Sequence, residues 1–331
     1  MRRLSARAAP PASREDVDRL VTIGITAFKR PNALARLVGS IRTHYPKTAV
    51  LIADNGDEAA DLSAENVVYL QLPFDCGLSA SRNALIDRNE RPFLLVLEDD
   101  FVFTEETRIE RFLDVLLSDP TIGVVGGALT HDGVVVDFAT DLEVFRGSLT
   151  ASRSRGPCRV TPNGVPYQLV DMTFNFALFR QEMLQEHRWD ENLKACEHVD
   201  FFLAVKRGAR WRVAFCGSVR CRHEHVWKDS YSRFRFGARN LDYRGYLRRK
   251  HSLESVQIPP RRHFASIRDT KPDLILFGVE AYETSVVARM LRCLGWHTPS
   301  GTGELSDEHR EPTAIEKLNA GLLRTGSLDL D

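Results

Sequence analysis

The chain has 331 residues, 43% hydrophobic and 27% charged, a composition that fits an ordinary globular protein with room for one large domain or two small ones. Its 45 basic and 45 acidic residues cancel, which argues against a general nucleic-acid binder. No apolar run reaches the roughly 20 residues needed to span a bilayer.

In chain order, residues 1–19 read as a disordered lead-in. Met1-Arg2-Arg3 is basic, but no apolar stretch follows, so a secretory signal is not expected. Residues 21–26 are short, apolar and β-branched, the pattern of a buried strand. Pro31 suits the first turn of a helix whose apolar face is Leu34, Leu37, Val38 and Ile41, with Pro46 as its stop. Residues 49–53 and 67–72 predict two more strands, the first ending in the turn sequence Asp54-Asn55-Gly56-Asp57. A loop containing Gly77 leads into a helix over 79–88. Residues 93–97 form the strongest strand pattern in the chain and run straight into Glu98-Asp99-Asp100.

A helix over 108–118 and a strand over 122–125 follow. The alternation predicts an α/β fold with a mostly parallel sheet covered on both faces, which binds ligands at the carboxyl ends of its strands. Shorter strand-like runs occupy 134–138 and 174–179. A helix over 199–206, a strand over 212–215 and a basic, aromatic stretch over 223–250 come next. The prolines and basic residues of 256–272 read as a linker, and 273–331 as a small α/β appendage opening with a strand, a turn and a helix.

Three consecutive acidic residues after a buried strand repel one another, and a hard divalent cation carrying a diphosphate relieves that repulsion; the other reading is an acidic turn in water. Asp54 reads either as an acceptor for a base N–H or as the head of an Asx turn. Arg82 and Asn83, near a helix start, suit a phosphate, although a lone helical arginine is commonly a surface residue. The glycine fingerprint of a dehydrogenase and the Walker pattern are both missing after the first strand. Glu197, His198 and Asp200 open a helix whose dipole stabilises carboxylates there; as chemistry, they are candidates for a general base. His223 and His225 are candidates for metal ligation or for structural histidines. The six cysteines (76, 158, 196, 216, 221 and 293) show no CxxC pairing and read as free thiols of a reducing cytoplasm. A Golgi-lumen fragment without its anchor would look the same.

Taken together, Thr26, Asp54-Asn55-Gly56, Gly77 with Arg82-Asn83, Glu98-Asp99-Asp100-Phe101, Glu197-His198 and His223 resemble the GT-A-fold family 2 glycosyltransferases over about residues 21–249. Within that group the chain is most similar to the β-1,4-N-acetylgalactosaminyltransferase branch that includes ganglioside GM2/GD2 synthases. The shared stretches are Ser40-Ile41-Arg42 with Tyr45-Pro46, Leu72-Pro73-Phe74, residues 99–103, and Val125-Gly126-Gly127-Ala128. The resemblance implies a GT-A domain over 20–255 and an enzyme that moves a hexose or N-acetylhexosamine from a UDP-sugar to a hydroxyl of a glycan, glycolipid or polysaccharide, with inversion.

It also implies donor contacts from Thr26, Ala27, Phe28, Arg30, Asp54, Asn55, Gly77, Arg82, Asn83, Glu98, Asp99 and Asn175, with Asp171 an alternative to Asn175. Asp100 and His223 would ligate Mn2+, or Mg2+ in its place, and the base would be Glu197, His198 or Asp200. His198 stands where many relatives carry an Asp. The competing readings are a non-catalytic nucleotide-sugar or carbohydrate binder on the same fold, a retaining transferase and a nucleotidyltransferase. The tail resembles the opening of a nucleotide-dependent sulfotransferase, but Glu280 and Glu283 sit where that family needs a basic phosphate loop, so no sulfotransferase activity is expected.

Overall fold

β1 (Val21–Ala27) is buried along its whole length, and its side chains divide by period two. Val21, Ile23 and Ile25 join one core with Leu34, Leu37 and Ile41 of α2 (Pro31–His44). On the opposite face of the sheet, Leu94 and Val96 of β4 (Phe93–Glu98) join a second core with Leu85 and Ile86 of α3 (Leu78–Arg88). Gly24 sits where α3 crosses closely: a Cβ there would lie 2.9 Å from Leu94 Cδ1 and 3.1 Å from Leu85 Cδ1. With β2 (Ala49–Asp54) and β3 (Val67–Gln71), these strands form a parallel set ordered β4-β1-β2-β3.

The computed structural model describes residues 10–57, 60, 62, 65–224, 239–257 and 264–265, all within a compact unit that ends at Ser266. The fold is α/β, a large sheet flanked by helices. Beyond the parallel set the sheet is mixed, because β12 (Ala177–Arg180) runs antiparallel between β4 and β6 (Ile122–His131). The expected strand over 174–179 therefore begins only at Ala177, and Phe174 instead stacks on Phe138 at 4.9 Å. β6 and β13 (Arg212–His223) pair in parallel and are far longer than expected. A register irregularity between Phe215 and Arg220 lets β13 run on past its first apolar stretch. Its end then pairs antiparallel with β5 (Phe101–Val102), setting His223 opposite Phe101.

Two boundaries need correction. Residues 1–19 are not a disordered lead-in throughout, because Ser13 caps α1 (Arg14–Leu20) in a reciprocal box with Asp16, and Val17 is buried in the core. Burial costs the Asp16 carboxylate little, and the Ser13 N–H, the Ser13 hydroxyl and Arg19 hold its pKa at about 2. The stretch 256–272 is not a free linker from its start. β14 (Ser255–Gln257) lies parallel to β9 (Ser148–Arg153), and β15 (Phe264–Ala265) pairs with β7 (Val134–Asp137). The basic stretch contributes α7 (Arg239–Lys250), while residues 225–238, with His225, and the appendage over 273–331 lie outside the described residues.

Candidate active site at the carboxyl ends of the parallel strands

Only residues 28–30 separate β1 from α2, so the connection folds tightly over the end of neighbouring β4. Lys29 takes up the left-handed backbone region (φ +55°) to make that turn, a conformation that costs an L-residue about 1 kcal/mol or more. The turn is held by Asp99, whose Oδ2 accepts the Phe28 N–H at 3.1 Å. Arg30 then reaches back into the acidic turn. One guanidinium nitrogen donates to Asp99 Oδ1, and the other lies 2.5 Å from Asp100 Oδ2. All three side chains are buried, at 4% exposure for Arg30, 0% for Asp99 and 1% for Asp100.

His223 Nε2 approaches the same Asp100 oxygen at 3.4 Å. Its ring is set edge-on to Phe101 at 5.7 Å and faces His131 at 5.3 Å, and His131 Nδ1 lies 3.2 Å from the His223 carbonyl. Asp100 Oδ1 remains buried without a hydrogen-bond partner. Burial pushes Asp99 up to about 7 against the pull of Arg30. Burial acts on Asp100 in the same direction, but the hydrogen bond from His223 and the Arg30 charge outweigh it and hold Asp100 at about 2.

Beside this cluster stands a second one. Arg82, on α3, is fully buried and carries its guanidinium 5.3 Å above the Trp189 ring. Nη1 donates to Glu197 Oε1 at 3.1 Å, and Nη2 lies 3.8 Å from Glu98 Oε1. Glu98 also accepts from Asn175 Nδ2 at 2.5 Å. Glu197 opens α6 (Glu197–Gly208) directly after Cys196, another left-handed residue (φ +66°). Arg82 Nε and Nη2 have no hydrogen-bond partner despite their burial. Four residues from distant parts of the chain thus meet at one sheet edge: a cation, two carboxylates and an amide.

The family model for glycosyl transferase family 2 matches residues 22–188, half of the chain. The chain belongs to glycosyl transferase family 2. The match contains Arg30, Arg82, Glu98, Asp99, Asp100 and Asn175, and ends before Glu197 and His223. Among curated relatives, the human β-1,4 N-acetylgalactosaminyltransferase 1 is 31% identical over 69% of this chain and 45% of its own length. The mouse β-1,4 N-acetylgalactosaminyltransferase 2 is 29% identical over 65% of this chain and 41% of its own. The chain therefore spans less than half the length of these relatives. A solved structure, S. aureus TarS 1–349, is 14% identical over 60% of each chain, with a TM-score of 0.42.

Within this family 2 domain, several candidate residues are engaged elsewhere. Asp54 has the geometry of an Asx turn: Oδ1 accepts the Gly56 N–H at 2.7 Å, and Oδ2 accepts from the Tyr69 hydroxyl, which leaves each oxygen one further lone pair. Burial, together with the Asp54 carboxylate, pushes the Tyr69 phenol up. Asn55 ties strand ends together, its Nδ2 donating to Ser81 Oγ at 2.8 Å and to the Ala27 carbonyl at 3.3 Å. Thr26 is buried, and its hydroxyl donates to the Leu97 carbonyl at 3.3 Å. Gly77, at φ +93°, caps α3 under Lys194, whose Cγ would lie 2.9 Å from an added Cβ. Phe28 packs 5.8 Å from the half-exposed Phe74 at the rim.

Three further candidates also have partners within the protein. The Asn83 amide clasps the Trp189 N–H at 3.1 Å, the Trp189 carbonyl at 2.9 Å and Glu191 at 2.9 Å. Asp171 accepts from the Leu142 N–H at 2.8 Å and from Lys206 at 2.6 Å, both on Oδ2. Asp200 is spent on the link to α7, with His251 Nε2 at 2.7 Å and Lys250 Nζ at 2.9 Å. His198 Nε2 donates to the Thr173 carbonyl at 2.5 Å, and its ring packs on Phe202 at 5.0 Å. Sequence reasoning missed His131 and Trp189. His131 would have emerged had the alternation of β6 been followed beyond Val125; Trp189 carries no local signal.

Asp100, with an unsatisfied buried oxygen beside an imidazole, is a donor set that fits a hard divalent cation. Among the described residues no three acidic, histidine or cysteine side chains gather around one point, so a cation at Asp100 would draw only part of its coordination shell from them.

Proposed function

We propose that the chain is a cation-dependent glycosyltransferase that moves a sugar from a UDP-sugar to a hydroxyl of a glycan or glycolipid, with inversion at the anomeric carbon. The observation that carries this reading is the meeting of Glu197, Arg82, Glu98 and Asn175 beside the unsatisfied oxygen of Asp100. The names of the curated relatives support N-acetylgalactosamine as the donor sugar. Asp100 and His223 would hold the cation, Mn2+ or Mg2+, and its chemistry there is to neutralise charge on the departing nucleoside diphosphate.

Glu197 is the base in this proposal. It is the one member of the 197–200 group whose carboxylate faces the cluster, whereas Asp200 serves α7 and His198 bonds a carbonyl. As the acceptor oxygen bonds to the anomeric carbon, the bond from that carbon to the diphosphate oxygen breaks, and the acceptor proton passes to Glu197. Arg82 sets the direction of its carboxylate. The described cysteines are free thiols, which supports a reducing compartment, and no helix among the described residues is long and apolar enough to cross a membrane.

The test is a panel of nucleotide sugars with Mn2+, scored by UDP release with and without glycan acceptors. UDP-N-acetylgalactosamine is the expected best donor, and Asp100→Ala is expected to lower release at least about a hundredfold while the protein stays folded. Undiminished turnover in excess chelator overturns the cation role. Nucleotide binding without release from any donor would favour the non-catalytic reading.

A further inference from the structure

The acidic turn carries its own counter-ion. Arg30 divides its two terminal nitrogens between consecutive carboxylates, Asp99 and Asp100, in a pocket that excludes water from all three side chains. The placement is built in: the left-handed Lys29 and the bond from the Phe28 N–H to Asp99 fix the backbone that delivers Arg30, and Pro31 starts α2 at once. A guanidinium keeps its charge at any working pH, and its fork cannot rotate away from two acceptors without losing both bonds. Asp100 Oδ2 is consequently filled, while Oδ1 is buried and unsatisfied.

A divalent cation at Oδ1 would stand beside this guanidinium where little water screens the repulsion between them. With only Asp100 and His223 among the described residues to hold it, a free cation gains too little to overcome that repulsion. A nucleoside diphosphate changes the balance, because its oxygens both complete the cation's shell and offer the guanidinium an anion.

We propose that Arg30 is a resident counter-ion that keeps the acidic turn closed to a free divalent cation, so that cation and nucleoside diphosphate are held tightly only as a pair. The nucleotide's identity rests on the transferase reading; the effect of Arg30 on the cation alone does not. Linkage makes the coupling reciprocal, with Mn2+ tightening UDP by the same factor as UDP tightens Mn2+.

The experiment is a titration of the full chain with Mn2+, followed by electron paramagnetic resonance of the free ion, with and without UDP. In the wild type, UDP is expected to tighten Mn2+ by about tenfold or more. In Arg30→Gln, Mn2+ alone is expected to bind about tenfold tighter than in the wild type, and the effect of UDP to shrink. Arg30→Lys keeps the charge and is expected to bind free Mn2+ as weakly as the wild type.

Equal Mn2+ affinity in the wild type and Arg30→Gln overturns the proposal, as does tight Mn2+ binding by Arg30→Lys. If Arg30→Gln folds only marginally, its thermal midpoint carries the same information. Millimolar Mn2+ should raise that midpoint more than the wild type's, and an equal or smaller rise overturns the proposal. Absence of UDP binding by the wild type in saturating Mn2+ would instead defeat the transferase reading, leaving the cation-only comparison intact.

Discussion

Two buried arginines stand at the carboxyl ends of the parallel strands, each set between two carboxylates, yet only beside the first, Arg30, is a carboxylate oxygen buried without a hydrogen bond. That oxygen is Asp100 Oδ1; beside Arg82 the buried atoms without a hydrogen bond include two of the guanidinium, Nε and Nη2, and no oxygen of Glu98 or Glu197. A buried polar atom without a partner costs free energy, so it marks where a ligand would supply what the protein lacks. By that measure the Arg30 cluster is short of a cation and the Arg82 cluster short of an acceptor. The two shortages lie side by side because Glu98 belongs to one cluster and its neighbours Asp99 and Asp100 to the other. A metal-bound diphosphate carrying a sugar has the charges to meet both.

The comparison breaks most severely at Glu197. If the Arg82 cluster is the reacting side, Glu197→Gln should lower UDP release with acceptor by roughly a hundredfold to ten-thousandfold, the usual range for a general base. UDP affinity, measured by calorimetry, should stay within about threefold, because the cation side is untouched. A large loss of UDP affinity with unchanged turnover at saturation would reverse the assignment of the two sides. Arg82→Met comes next. It leaves the Glu197 and Glu98 carboxylates without their buried cation, a change of about 3 kcal/mol or more, expected to lower the thermal midpoint by about 6 °C or more. A midpoint within a degree of the wild type would mean that Arg82 holds neither glutamate.

Much of the parallel half could be read directly. Residues 21–26 and 93–97 are apolar runs whose ends are polar, and in such sheets those ends gather the ligand-binding groups. Asp99 and Asp100 therefore stood out from the sequence, as Glu197 did at the start of a helix, while Arg82, Glu98 and Asn175 were named by the family resemblance as separate donor contacts and not as a cluster. What each side chain does there was harder to see. Asp54 reads the same in a sequence whether its carboxylate closes its own turn on Gly56 or waits for a base. The partners of Asp200, Lys250 and His251, lie 50 and 51 positions further along the chain, beyond the reach of any local pattern. α1 went unseen because seven residues with one buried side chain show no helical period, and its capping box uses Asp16 where Glu or Gln is the usual sign. β13 was cut short because Gly217 and Ser218 interrupt its apolar pattern at the place where its register shifts. Arg30 is the clearest case: an arginine after a turn lysine has no sequence mark that separates a surface charge from a buried counter-ion.

The finest test lies inside the Arg30 cluster, where two adjacent aspartates, both buried, are shifted in opposite directions. Asp100 is held at about 2, below its ordinary 3.8, so it contributes stability that is fully present above about pH 4 and lost as pH falls toward 2. Asp99 is pushed up to about 7, so its contribution is fully present below pH 3.8 and is lost as pH rises through 7. Thermal midpoints across that range should therefore separate two variants. Relative to the wild type, Asp100→Asn should show a deficit that shrinks as pH falls from about 4 to 2. Asp99→Asn should move the other way, regaining midpoint against the wild type as pH rises from about 4 to 7, since the wild type must ionise a carboxyl that Asn lacks. Parallel curves for the two variants would mean that Arg30 and His223 serve both aspartates alike. Opposite slopes would place the permanent negative charge of the turn on Asp100, the residue whose spare oxygen faces the expected cation, and leave Asp99 to hold Phe28 and Arg30 in place.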